Sequence, residues 1–175
     1  MNLKLRMQYD ACHKPMIVFL ILIFWACSLG VSSDSQISLD LRKGLIGSIS
    51  AMDTLDQLKM KLGASNVQSY TGRSEGEEYR GYKLKFRNSQ TVDANQAYLE
   101  IKSTGFRTRT GLGVGSTWKD FREAFSDGDL MWAEDAKGIW SEKFKFRLYF
   151  RDNKQPRSDD RVTAIHMNRR GVEPW

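Results

Sequence analysis

Two stretches of strict alternation, 62 residues apart, constrain this chain more than any other feature. They are Tyr82-Lys83-Leu84-Lys85-Phe86-Arg87 and Phe144-Lys145-Phe146-Arg147-Leu148-Tyr149-Phe150-Arg151. A period of two with aromatic enrichment is the pattern of a strand buried on one face only. The inward side would carry Tyr82, Leu84, Phe86, Phe144, Phe146, Leu148 and Phe150. Each such side chain is worth about 1.5–3 kcal/mol when fully buried, so they can seed a core without cross-links. Residues 98–102 and 161–167 also read as strands.

A helical pattern precedes each alternating stretch. Leu55, Leu58 and Leu62 follow Thr54, and Trp118, Phe121 and Phe125 follow Thr117, both at the i, i+3, i+7 spacing of a helix buried on one side. The threonines stand where an N-cap belongs, with Gly63 and Gly128 as stops. The intervals agree: Thr54 to Thr117 is 63 residues, Tyr82 to Phe144 is 62, and Ile101 to Ile165 is 64. The chain therefore predicts an α+β domain over 44–175, built from two helix-then-strands repeats (about 44–104 and 105–170). Its sheet is mostly antiparallel, with the helices on one face. Residues 71–78, 88–95 and 152–160, rich in Gly, Asn, Ser and Asp, read as loops.

The first 33 residues read as an export signal. Lys4, Arg6 and Lys14 precede the apolar run 16–26 (MIVFLILIFWA), and small residues follow. Val31 and Ser33 fit the subsites of a signal peptidase, with Ser28 and Gly30 as a second option. The run is shorter than the roughly 20 apolar residues that span a bilayer, so the mature chain is expected to lack a transmembrane anchor. The alternative is cleavage before Cys27 with lipidation there, although Phe24-Trp25-Ala26-Cys27 is bulkier than a lipoprotein box. Cys12 and Cys27 are the only cysteines, so a chain starting at Asp34 would hold no disulfide, thiol nucleophile or thiolate metal site. Losing Lys4, Arg6, Lys14 and Asp10 would take the net charge from +6 to +4, too modest for a nucleic-acid binder. Residues 34–43 read as a polar lead-in.

An exported, repeated helix-then-strands unit whose leader ends near a cysteine resembles small bacterial envelope proteins. The fold is similar to that of the beta-lactamase inhibitory protein and of the SmpA-type outer-membrane lipoproteins. Residues 44–49 (GLIGSI) before Thr54, and 111–117 (GLGVGST), resemble stretches of enterobacterial lipoproteins. The Gly-Met-Thr signature of the SmpA type is absent, so its barrel-assembly role does not transfer, and the resemblance carries over no catalytic residue.

The outward positions of the two alternating stretches are basic. Lys83, Lys85 and Arg87 on the first, with Lys143, Lys145, Arg147 and Arg151 on the second, would share one surface if both strands lie in one sheet. Such a face suits an acidic protein or an anionic lipid headgroup. The expected function is therefore non-enzymatic binding by an exported, periplasmic protein, or by one anchored to the envelope through Cys27. Neither metal nor other cofactor is expected. An envelope polysaccharide hydrolase is the alternative, pairing Glu75 or Glu78 with Asp127 or Asp129. A second alternative is an inhibitory protein-binding module. The glycine-rich 111–117 lacks the lysine of a phosphate loop and reads as a turn and N-cap. His166, in the last strand, has no nucleophile elbow elsewhere in the chain to serve.

Overall fold

The computed structural model describes residues 36–74 and 76–169, and within them the chain is α+β with mostly antiparallel sheets. The first strands are β1 (Ile37–Asp40), β2 (Leu45–Ile46) and β3 (Ile49–Ser50), followed by helix α1 (Leu55–Leu62). Next come β4 (Val67–Ser74), β5 (Glu77–Lys85), β6 (Thr91–Ala94), β7 (Tyr98–Ile101) and the short β8 (Phe106–Arg107). Helix α2 (Trp118–Ala124) leads into β9 (Met131–Ala133), β10 (Gly138–Ser141), β11 (Phe146–Phe150) and β12 (Val162–Asn168). The signal segment 1–33 with Cys27, residue Glu75 and the tail 170–175 lie outside the described residues.

Both helices start at the expected threonines. Thr54 Oγ1 accepts from the Gln57 N–H, and the Gln57 side chain accepts from the Thr54 N–H in return. Thr117 and Asp120 make the same reciprocal pair. Each box satisfies two amides that the helix leaves without partners. Gly63, at φ +90°, ends α1 as expected, whereas α2 ends at Phe125 and Gly128 lies three residues further on, in the next turn. Thr54→Ala should cost about 1 kcal/mol of unfolding free energy in a urea titration. Thr54→Ser should cost much less, because it keeps the accepting oxygen.

The large sheet has eight strands in the order β4-β5-β6-β7-β12-β11-β10-β9, every neighbouring pair antiparallel. β4 to β7 form one meander and β9 to β12 a second; they join where β7 pairs with β12. One face of this sheet is the core. Leu99 lies opposite Met167, Met167 opposite Phe146, and Phe146 opposite Ser141, all buried. Ile101, Ile165, Leu148 and Ile139 make the next buried row. Leu58 of α1 and Phe121 of α2 enter the same core and are fully buried. Of the seven residues expected inside, Tyr82, Leu84, Phe146, Leu148 and Phe150 are buried, while Phe86 and Phe144 pack partly buried against them.

The structure corrects the sequence reading in several places. The polar lead-in 34–43 contains β1, which pairs with β2 and, in parallel, with β8 in a separate four-stranded sheet. Leu39 and Leu41 anchor it in the core at 2% exposure, Ile37 packs partly buried beside them, and three apolar residues in a polar stretch are enough to recruit it. The loop expected at 71–78 is mostly the hairpin of β4 and β5. There Tyr70 lies opposite Gly81 and Tyr79 opposite Gly72, each ring covering the glycine across the ladder. The loop expected at 88–95 contains β6. Phe144 and Lys145, read as the start of a strand, fall in the turn 142–145 between β10 and β11, with Lys145 at φ +55°.

Candidate functional site

The face of the eight-stranded sheet opposite the core carries one unbroken row through all eight strands. In register it reads Gln68, Lys83, Asp93, Glu100, His166, Arg147, Trp140 and Met131. The period of two puts these residues outside because their chain neighbours are the core residues. Lys83 and Arg147 do share this face, but β6, β7 and β12 lie between their strands. Four strand spacings separate them by about 19 Å. Asp93 and Glu100 occupy the gap side by side, so a pair of carboxylates separates the two cations.

The seven cations expected to form one patch are therefore divided. Lys83 Nζ lies 4.0 Å from Asp93 Oδ1. Lys85 shares the outer side of β5, while Arg87 sits in the 3-10 turn after that strand. Lys143 and Lys145 are in the 142–145 turn, paired with Asp129 (3.2 Å) and with Glu142. Arg151 begins the turn after β11. Arg147 lies over Trp140, 5.4 Å from its ring centre, and its Nη1 donates to the Tyr149 hydroxyl at 3.3 Å. The alternation in sequence was real, but the turn at 142–145 cut the second run short and the strand order spread the rest.

The best-organised part of the face surrounds His166. Its imidazole stacks on Tyr98, ring centres 4.0 Å apart and 9° from parallel, with Tyr149 tilted over it at 4.4 Å. Nε2–H donates to Glu100 Oε1 (2.9 Å), and the other carboxylate oxygen accepts from Lys102 Nζ (2.7 Å). The bond from His166 holds the Glu100 carboxyl at about 2, below its ordinary 4.5, against the opposing pull of burial, with Lys102 adding to the effect. Glu100 raises Lys102 in turn, and burial raises Tyr98 and Tyr70. Sequence reasoning passed over Tyr98, Glu100 and Lys102, although their alternation with Leu99 and Ile101 was the available signal.

A depressed carboxyl adds stability above its unfolded pKa and loses it as the pH falls through the folded value. Glu100 should therefore make stability fall as the pH drops from 4.5 toward 2. In an acid titration followed by circular dichroism, Glu100→Gln should flatten that part of the profile. An unaltered slope would mean the carboxylate is not held by its partners.

The other candidate chemistries do not assemble. Glu78 pairs with Arg73 (2.8 Å) at the β4–β5 end of the sheet, whereas Asp127 and Asp129 precede β9 at the opposite edge. Six strand spacings, about 29 Å, are far beyond the reach of a glycosidase carboxylate pair. Around the glycine-rich turn, Gly113 N–H donates to Ser116 Oγ and Gly115 N–H to the Val162 carbonyl. These two amides are taken up internally. Among the described residues, no cluster of three His, Cys, Asp or Glu side chains could hold a metal, and no helix is long and apolar enough to cross a membrane.

No protein-family model matches the sequence, and no curated protein matches it. Among solved structures, the chain is similar to the uncharacterized protein YfeY from Escherichia coli, at a TM-score of 0.39 and 13% identity over 59% of this chain and 79% of that one. A likeness of that size assigns neither a family nor a function.

Proposed function

We propose that the protein is an exported, non-enzymatic binding protein of the bacterial envelope, and that the open face of the eight-stranded sheet meets an acidic surface on another protein. One observation carries this reading: the row through all eight strands, with Trp140, Arg147, Tyr149, Tyr98 and His166 gathered at its centre. Tyrosine, tryptophan and arginine are the side chains that most often dominate protein interfaces. Lys83, Lys85, Lys102 and Arg147 outnumber Glu77, Asp93 and Glu100 on this face, which favours an acidic partner. Lys143, Lys145 and Arg151 border it, adding long-range attraction more than contact. Two copies of a helix-and-meander unit, with both helices on the core side, would account for the face being wide and open. No cofactor or nucleic acid enters this reading.

Salt titration tests it. Full-length chain immobilised in envelope extract should retain partner at about 50 mM salt and lose about tenfold by about 500 mM. Arg147→Ser combined with Trp140→Ser should produce a similar loss. Retention that ignores both salt and these substitutions rules the reading out. Vesicles of phosphatidylglycerol in the same assay separate an anionic lipid from a protein ligand.

Export makes its own prediction. The mature protein should have the mass of a chain starting near residue 34, or of one starting at Cys27 with attached lipid. The intact mass of the whole 175-residue chain would refute both.

A further inference from the structure

A second surface lies at the end of the sheet, independent of the face just described. β4 is the terminal strand, and its described strand partner is β5 alone, so one edge of an eight-residue strand is open. Natural edges are usually shortened, bulged or blocked with lysine or proline. The opposite edge follows that rule, since β9 has three residues. β4 does not: it is long and, reading VQSYTGRS, contains neither lysine nor proline. Beside it runs a groove of about 670 Å³, lined by Leu55 and Lys59 of α1, by Val67, Ser69, Tyr70 and Thr71 of β4, and by Arg80 and Tyr82 of β5. Its wall is mainly polar, with Leu55, Val67 and Tyr82 contributing a small apolar part, and Lys59 and Arg80 are its only charged residues. Among the described residues neither Lys59 nor Arg80 lies within ion-pair distance of a carboxylate, so both can meet an anion that enters the groove.

We infer that the β4 edge takes up an extended segment of acidic protein chain as a ninth strand, with alternate side chains entering the groove. Backbone bonding to β4 supplies the affinity of strand addition, and the side chains on one face supply the selectivity. An apolar residue fits against Leu55, Val67 and Tyr82, and carboxylates two residues apart fit Lys59 and Arg80. Charge chooses the occupant. A second copy of this chain, pairing β4 with β4, would bring two cationic grooves together and offer no carboxylate from VQSYTGRS.

The probe is a fluorescein-labelled peptide ITDTETI, whose odd positions place two isoleucines and two carboxylates on one side in either chain direction. Fluorescence polarisation with the full chain should show saturable binding. Binding should weaken about tenfold or more for Lys59→Glu with Arg80→Glu, for the peptide ITKTKTI, and for ITDTETI N-methylated at alternate residues. The last control leaves the protein untouched, so it does not depend on a variant folding. Trp140→Ser with Arg147→Ser should leave this binding unchanged, which separates the groove from the outer sheet face. Absence of saturable binding overturns the proposal, as does equal binding of the N-methylated or lysine peptide. So does loss of binding in the outer-face variant. A dimer in sedimentation that ITDTETI fails to dissociate would give the edge to a second copy and refute it too.

Discussion

Phe121→Ala should lower the unfolding free energy by about 3–5 kcal/mol, a large share of what holds an ordinary domain together. Phe121 is the buried side chain of α2, a helix of seven residues that could not persist by itself. Its ring stacks on Phe125, centres 6.3 Å apart, and Phe125 reaches Phe146 (5.3 Å) and Phe144 (5.6 Å). Arg42 lies over Phe125 and Phe144, and its Nη2 donates to the Ala124 carbonyl (3.0 Å) at the end of the helix. Removing Phe121 opens a hole beneath an aromatic stack that its neighbours can close only in part. Thermal unfolding should shift down by about 6–20 °C. Phe121→Leu, which keeps most of the volume, should cost far less. A loss below about 1 kcal/mol for the alanine variant would contradict the packing described.

Asp53→Ala should cost about 1–3 kcal/mol for a different reason. Asp53 is 6% exposed, and both carboxylate oxygens accept from Lys61 Nζ at 2.8 Å. One of them also accepts from the Ser50 N–H (2.7 Å). Its backbone carbonyl accepts from Arg169 Nη2 (2.7 Å), and Arg169 is almost wholly buried. Burial lowers the Arg169 guanidinium to about 10, and the Asp53 charge works against that fall. Removing the carboxylate leaves an amide without its acceptor and a buried cation without this counter-charge. Asp53→Asn should be milder, since an amide oxygen can still accept from Ser50. Urea denaturation beside Asp56→Ala, an exposed acid in α1, decides the matter: equal small losses would mean the buried cluster contributes little.

Legibility in the sequence followed how local each signal was. The two helices and their caps could be read because Thr54 with Gln57 and Thr117 with Asp120 act within one turn. β7, β11 and β12 could be read because alternation needs only neighbouring residues. β1 and β6 could not: each has four residues, too few for alternation to stand out, and β1 also needs β8, far along the chain, to be paired on both sides. The candidate site was harder still. His166 was visible as a lone imidazole, but its partner Glu100 lies 66 residues away and meets it only through the pairing of β7 with β12.

Side-chain period decided by itself which residues of each strand face the core and which face outward, because alternation is a property of the extended backbone. Capping chemistry likewise decided where α1 and α2 begin. Strand order was decided only in three dimensions, where the two meanders join through β7 and β12. That order set Lys83 and Arg147 four strands apart with carboxylates between them, and it left β4 as an open edge. Which residues lie side by side in a sheet depends on the pairing of distant segments, and cations that look like one basic run in one dimension are therefore parted by a pair of carboxylates.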